Sequence, residues 1–318
     1  MKKAFVLLLF LVGCASASRI AEERQWRAQN GRIKVLTTIC MINDLVACIG
    51  GDQVDTLPLI RGELDPHTYE LVKGDGEKFE RADIIFYNGL GLEHSLSMRR
   101  NLEGNWKAIA VAEPLIEKDP SFILVVDGQY DPHIWTDISL WAETIDPIVE
   151  ALSSLRPELA AHFFDRGEEL KREMLKLDAE AYAALQAIES GRRYLVTSHD
   201  AFNYFARRYL RAPDETDWKR RFRAPEGLAP EAQLSVTDIM QVIDYIKENG
   251  VSVLFPESNV SRDSLKKIVA SGKEKGCEIR LCEEPLFGDA MGEGQSYLQM
   301  MRHNVTVITR NLDGTRNR

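Results

Sequence analysis

Two Asp-Pro-His tripeptides, in "ELDPHTYEL" and "QYDPHIWTD", use two of the six histidines of this 318-residue chain, His67 and His133. Asp-Pro favours a turn, and proline fixes its own φ while steering the preceding residue away from helix. Each tripeptide therefore reads as a stiff loop presenting one imidazole. A third histidine, His199, follows directly on the apolar run "YLVTS". Asp289 lies in the glycine-rich stretch "PLFGDAMGEGQ", after another short run that ends near Cys282. Neutral imidazole suits zinc, manganese and ferrous iron, and a carboxylate would complete a set of four donors. Taken singly, each histidine fits an ordinary core or surface role better. Their common placement at the carboxyl ends of strands, where open α/β sheets bind ligands, makes the joint case.

The elements that must hold these residues alternate along the chain. "IKVLTT" reads as a strand, "MINDLVACIG" as a helix stopping near Gly50-Gly51, and "QVDTLPLI" as a strand leading to the first Asp-Pro-His loop. "DIIFYNG" and "WKAIAVAE" continue the pattern. In the second half "RYLVTS", "VSVLFPE" and "EIRLC" read as strands, with helices in "DAFNYFARRYL", "LSVTDIMQVIDYIKENG" and "SRDSLKKIVASGKEKG". Ser235 with Asp238 makes a capping box, and Gly250 marks a stop. Strands separated by helices predict parallel βαβ units. The fold class is α/β, in two lobes.

Between them, Pro157 to Ser190 holds no internal proline, and Leu159, Phe163, Leu170, Met174, Leu177, Ala181, Leu185 and Ile188 recur at helical spacing. About 33 residues at 1.5 Å each make a rod on the order of 50 Å, a stiff linker that Gly167 would kink. The divisions expected are a signal over 1–13, a polar tether over 14–31, a first lobe over 32–155, the linker over 156–190 and a second lobe over 191–318.

The signal rests on "MKKAFVLLLFLVGCASAS": two lysines, a short apolar run, then Gly13-Cys14. The run is too short for a membrane-spanning helix and has the shape of an export signal. "LVGC" resembles the lipobox of bacterial lipoproteins, making Cys14 the lipidated residue; the alternative is a later cut within "ASAS". The body is expected to be exported and attached to a membrane only through that lipid. The formal charge is −9; removing Lys2 and Lys3 with residues 1–13 leaves 38 basic against 49 acidic residues, or −11. That balance argues weakly against nucleic acid and suits a cationic ligand. Cys40, Cys48, Cys277 and Cys282 show no CxxC spacing, and the local pairs stand too far apart on their elements to bridge, so mostly buried thiols are expected.

The longer segments "GELDPHTYELVKGD", "NGLGLEHS", "DPHIWTD", "RYLVTSHDAFNYFARRYL", "APEGLAPEAQLS" and "HNVTVIT" run through nearly the whole chain after the signal. In these the sequence resembles the TroA-like (cluster A-I) metal-binding proteins of bacterial ABC transporters. The resemblance implies two α/β lobes joined by a long helix, with one divalent metal (Mn²⁺, Fe²⁺ or Zn²⁺) between them. Its ligands would be His67, His133, His199 and Asp289, the last aligning only by its place after the final strand. It also implies a periplasmic, membrane-anchored, monomeric solute-binding protein whose partners are a permease and its ATPase. Zinc-dedicated members tend to carry a loop rich in histidine and acid between the first two ligands; from Thr68 to Pro132 this chain has only His94.

Neither an HExxH helix nor a G-x-S-x-G elbow is present, so capture without catalysis is the favoured activity. An exported metallohydrolase built on His67, His133 and Asp289, or an adhesin, are the alternatives. His94, His162 and His303 read as structural. Trp135 and Tyr69 are expected to pack around the site, and Arg223 with Glu257 to form a buried ion pair near it.

Overall fold

A computed structural model of the protein describes residues 21–229 and 235–313; the expected signal, Cys14 and the first part of the tether lie outside them. Among the described residues, no helix is long and apolar enough to cross a membrane.

The first lobe is built on four parallel strands in the order β2-β1-β3-β4: β1 (Ile33–Thr37), β2 (Val54–Pro58), β3 (Ile84–Tyr87) and β4 (Ala108–Ala110). β1 lies in the middle and buries every residue but Lys34, as a strand covered on both faces must. Helix α1 (Cys40–Gly50) follows it and sinks Met41, Ile42, Leu45, Val46 and Ile49. The stretch read as a tether is not wholly free of this lobe: Trp26 is buried, and its indole donates to the Val35 carbonyl at 3.1 Å.

Two helices end the lobe and join it to the next. α2 (Ile145–Leu155) leads into a single turn at Pro157–Leu159, and α3 (Ala160–Gln186) starts there, three residues later than the proline. The inward stripe is as spaced in the sequence: Phe163, Leu170, Met174, Leu177, Ala181 and Leu185 are buried. Gly167 does not break the helix. A Cβ there would sit 2.7 Å from Val149 Cγ2 and 3.2 Å from Ile145 Cγ2, so the glycine lets α2 and α3 approach closely. Arg166 Nε donates to the Cys48 carbonyl at 2.7 Å, and Tyr209 of the second half donates to Asp178 at 2.8 Å. The helix is thus fastened to both lobes.

The second lobe has much shorter strands than the sequence suggests: β5 (Leu195–Val196) pairs in parallel with β6 (Phe222–Arg223), and β7 (Val253–Leu254) with β8 (Arg280–Leu281). The Phe255 amide donates to the Val196 carbonyl at 2.8 Å and stitches the two pairs together. Around them lie α4 (Val236–Asn249), α5 (Asp263–Glu274) and α6 (Tyr297–Leu312). α4 begins with the expected Ser235–Asp238 capping box and ends at Gly250, whose φ is 63°. The helix expected after His199 starts only at Asn203 and widens to π geometry over Ala206–Leu210. All four cysteines among the described residues are free, but only Cys282 is fully buried.

Candidate metal centre

The loops that carry the four candidate residues converge on one place. His67 follows β2, His199 follows β5 and Asp289 follows β8, while His133 stands just after a short antiparallel hairpin, Val125–Val126 with Gln129–Tyr130, that lies beyond β4. All four are buried, and one potential donor atom from each lies within 4.8 Å of the other three. The four residues that the sequence singled out are brought together.

The two Asp-Pro-His turns form as proline dictates, each aspartate accepting the amide of its own histidine: Asp65 from His67 at 2.9 Å and Asp131 from His133 at 3.0 Å. Asp131 does more. Its Oδ1 also meets His133 Nδ1 at 2.7 Å, while its Oδ2 accepts from Asn203 at 3.0 Å. His199 has an equivalent brace, its Nδ1 lying 2.7 Å from Glu257 Oε2. Glu257 Oε1 accepts the amides of Ser198 and His199 at 3.0 and 2.9 Å. A carboxylate behind the ring fixes tautomer and orientation and turns Nε2 toward the centre.

Asp289 faces all three rings, 3.6 Å from His67 Nε2, 3.3 Å from His133 Nε2 and 3.0 Å from His199 Nε2. Yet neither of its oxygens, nor the inward-facing Nε2 of His199, makes an aligned hydrogen bond. Short separations without alignment are what lone pairs converging on a common point produce, and a buried polar atom left without a partner is costly. The donor set fits a transition-metal ion. Gly288 makes room for the carboxylate behind His199: a Cβ there would fall 2.1 Å from Glu257 Oε2. Its carbonyl accepts from the Trp135 indole at 2.9 Å, and the edge of that indole meets the His133 ring at 5.3 Å.

Without a metal, charge in the centre is divided unevenly. Burial would lower His133, but Asp289 and Asp131 outweigh it and lift the ring to about 9. Burial opposes the same shift at His199, where Asp289 and Glu257 hold the ring well above the ordinary value. For His67 burial prevails over Asp289, and its value falls. Asp289, which burial would raise, is held well below the usual carboxylate range by His199 and His133.

Of the four, only His67 borders a cavity of about 890 Å³, shared with Leu90, His94, Glu113, Glu117 and Pro132. Its wall includes Leu90 and Gly91, which with the preceding Gly89 form a bend of positive φ (80° at Gly89, 55° and 83° at the next two), a conformation that costs leucine about 1 kcal/mol. Glu93 holds this bend together. It accepts from the Thr38 hydroxyl at 2.6 Å and from the amides of Asn88 and Gly89 at 2.8 and 3.2 Å. Asn88 in turn donates to the Pro132 carbonyl at 3.0 Å, tying the bend to the second Asp-Pro-His loop.

Other expectations need correction. Arg223 does not pair with Glu257; it is exposed over the Tyr245 ring, and Glu257 serves His199 instead. Tyr69 donates to Asp75 at 2.8 Å, while Trp135 packs against the His133 ring. His94 stands with its ring 5.9 Å from that of His67. Asp131, Glu93 and Gly288 carry no expectation in the sequence reading, and Glu257, expected near the site, has His199 as its partner. Asp131 carried a signal, being part of the repeated tripeptide, but nothing separated it from Asp65.

Comparison with known proteins agrees with this architecture. Residues 35–311 match the family model of ZnuA, the periplasmic component A of zinc-uptake complexes. The metal-binding protein YtgA of Chlamydia pneumoniae is 46% identical over 288 residues, covering 90% of this chain and 87% of its own. The manganese-binding lipoprotein MntA of Bacillus subtilis is 30% identical over 308 residues, covering 95% of each chain. Among solved structures, Fe(III)-bound YtgA from Chlamydia trachomatis aligns with a TM-score of 0.84 at 42% identity, over 88% of this chain and 98% of that one. The zinc-binding protein TroA of Treponema pallidum aligns with a TM-score of 0.79 at 30% identity, over 87% and 98%. This chain therefore belongs to the ZnuA family of metal-uptake proteins, with the two-lobed TroA-like fold.

Proposed function

We propose that the protein captures one transition-metal ion outside the cytoplasm and delivers it to the permease and ATPase of an ABC importer. His67, His133, His199 and Asp289 serve as ligands. The observation that carries this reading is the convergence of three imidazoles and one carboxylate, all buried, on one point between the lobes. The metal is cargo. Four protein donors leave it without the open position that catalytic zinc keeps for water, so we read the centre as a binding site and not as that of a hydrolase. Relatives named for manganese, zinc and iron support the same cargo class. Because imidazole-rich sites favour zinc over manganese and ferrous iron whatever the biology, affinity in vitro does not identify the physiological ion.

The reading extends to a monomer divided near residues 155 and 190, periplasmic, and held at the membrane by a lipid on Cys14. Elemental analysis of protein recovered from its native compartment tests the central claim. One transition-metal ion per chain, lost in His133→Ala, is expected. Metal-free protein, or ester or peptide turnover that depends on added metal, would overturn capture. Mass spectrometry of the native N-terminus tests the anchor, with an acylated Cys14 expected.

A further inference from the structure

The segment "HNVTVIT" falls in α6 and brings Asn304 against the chain that leads to Asp289. Asn304 is fully buried. Its Oδ1 accepts the Phe287 amide at 2.9 Å, and its Nδ2 donates to the Phe287 carbonyl at 2.8 Å. One side-chain amide thus holds one backbone residue by both of its polar groups, as a neighbouring strand would. The pair of bonds also fixes which end of the side chain is oxygen, since the reversed amide would set donor against donor and acceptor against acceptor.

Phe287 is the middle of three consecutive residues held by the fold. Leu286 donates its amide to the Pro256 carbonyl at 2.8 Å and accepts from the Ser258 amide at 2.9 Å, a bridge that sets it opposite Glu257. The Gly288 carbonyl accepts from the Trp135 indole. Each tie comes from a different element: the loop after β7, the helix α6, and the turn Ile134–Thr136. The next residue is Asp289, so its carboxylate swings from a fixed base toward His67, His133 and His199. Two of the ties have other work, since Trp135 packs on the His133 ring and the bridge carries the Glu257 that braces His199. Asn304 spends both ends of its side chain on Phe287.

Resting on the capture reading above, we propose that Asn304 is a positioning residue for Asp289. It fixes the Phe287 peptide before an ion arrives, so the carboxylate loses less freedom when it coordinates. Order already present in the metal-free protein is gained as tighter binding. A residue that only stabilised the second lobe would change unfolding and leave the affinity of the folded protein alone.

The test is a double-mutant cycle on the full chain, read as Kd for Zn²⁺ and for Mn²⁺ by chelator competition. Asn304→Leu, close in size, removes both bonds; Asn304→Ala, which leaves room for water to pair with Phe287, is the milder variant. Asn304→Leu should weaken Kd by about tenfold, as loss of a group that orients a ligand does, and speed release into excess chelator. Exchange of the Phe287 amide should quicken with it, and Asn304→Ala should fall between this variant and the parent. In an Asp289→Ala background the same substitutions should change Kd by less than about twofold, because the group they position is gone. If Asn304→Leu does not fold, Asn304→Ala closes the cycle. Parental Kd in the variants that fold, or equal losses in the two backgrounds, would overturn the positioning role while leaving capture intact. A parent that binds neither ion would remove capture itself, and an Asp289→Ala variant that binds as tightly as the parent would remove Asp289 from the ligands and the positioning role with it.

Discussion

The loops Asp65–His67 and Asp131–His133 have the same three residues and the same local turn, yet the two rings they present are chemically unlike. In the first, Asp65 uses one oxygen for the His67 amide and the other for the Thr68 hydroxyl at 2.9 Å, so the loop closes on itself. In the second, Asp131 reaches the His133 ring, and Asn203 and Tyr204 of the other lobe hold it, Tyr204 donating to the Asp131 carbonyl at 2.7 Å. Burial lowers the first ring, which faces the cavity; the second is clamped between the lobes, where without metal the neighbouring carboxylates raise it. Local sequence sets the turn, but tertiary neighbours set the electrostatics.

Removing the rings should give the widest separation. His67→Ala and His133→Ala are each expected to abolish metal-induced stabilisation, which for the parent at 1,000 times Kd amounts to about 4 kcal/mol. In chelator they should differ. His133→Ala strands two buried carboxylates and should cost on the order of 3 kcal/mol, whereas His67→Ala should cost markedly less. Equal losses in urea unfolding would break the comparison.

The aspartates come next. Asp131→Asn should weaken metal binding by about 10–100-fold, the usual cost of losing a carboxylate behind a ligating histidine. Asp65→Asn, which keeps the acceptor for the amide, should leave affinity near the parent value. Competition titration measures both.

pH gives the two rings opposite signs. His133 is raised to about 9 from an ordinary 6.5, so the stability it adds to the metal-free protein is full below about pH 6.5 and lost as pH climbs through 9. His67 is lowered, so its contribution is present above about 6.5 and disappears as pH falls through its folded value. Metal binding must expel the His133 and His199 protons; affinity should therefore keep rising well above pH 6.5, up to about pH 9. Imidazole NMR titration and calorimetry in two buffers check the assignment and the proton release, and a ring at 133 titrating near 6.5 would refute it. The smallest effect expected is for Tyr204→Phe, which removes one buried hydrogen bond to the second loop at about 1 kcal/mol. Hydrogen exchange at Thr68 should not respond.

Much of this centre was legible because its parts are local. A proline turn, a strand ending before His199 and a Ser235–Asp238 cap are written in neighbouring residues. The unread parts are contacts across the fold. Glu257 lies 58 positions from the amide of His199 that it accepts. Gly288 reads as a flexible loop residue until Glu257 is seen to fill the space a side chain would need. The strands of the second lobe were drawn too long because buried apolar runs such as "VSVLFPE" look alike whether they pair for two residues or six.

The long helix carries a mechanical consequence. At 27 residues it is a beam of about 40 Å, clamped to α1 through Arg166 and to the second half through Asp178. A beam held at both ends bends only by tearing out its fastenings. The compliance of the molecule then resides in the short loops that carry His67, His133, His199 and Asp289, and loops relax in nanoseconds to microseconds, faster than the microseconds to milliseconds typical of hinged domains. Paired spin labels, one on each lobe, should report nearly the same distance with and without metal. Loading with metal is then expected to change the local surface around the cavity, with the span of the whole molecule left as it was.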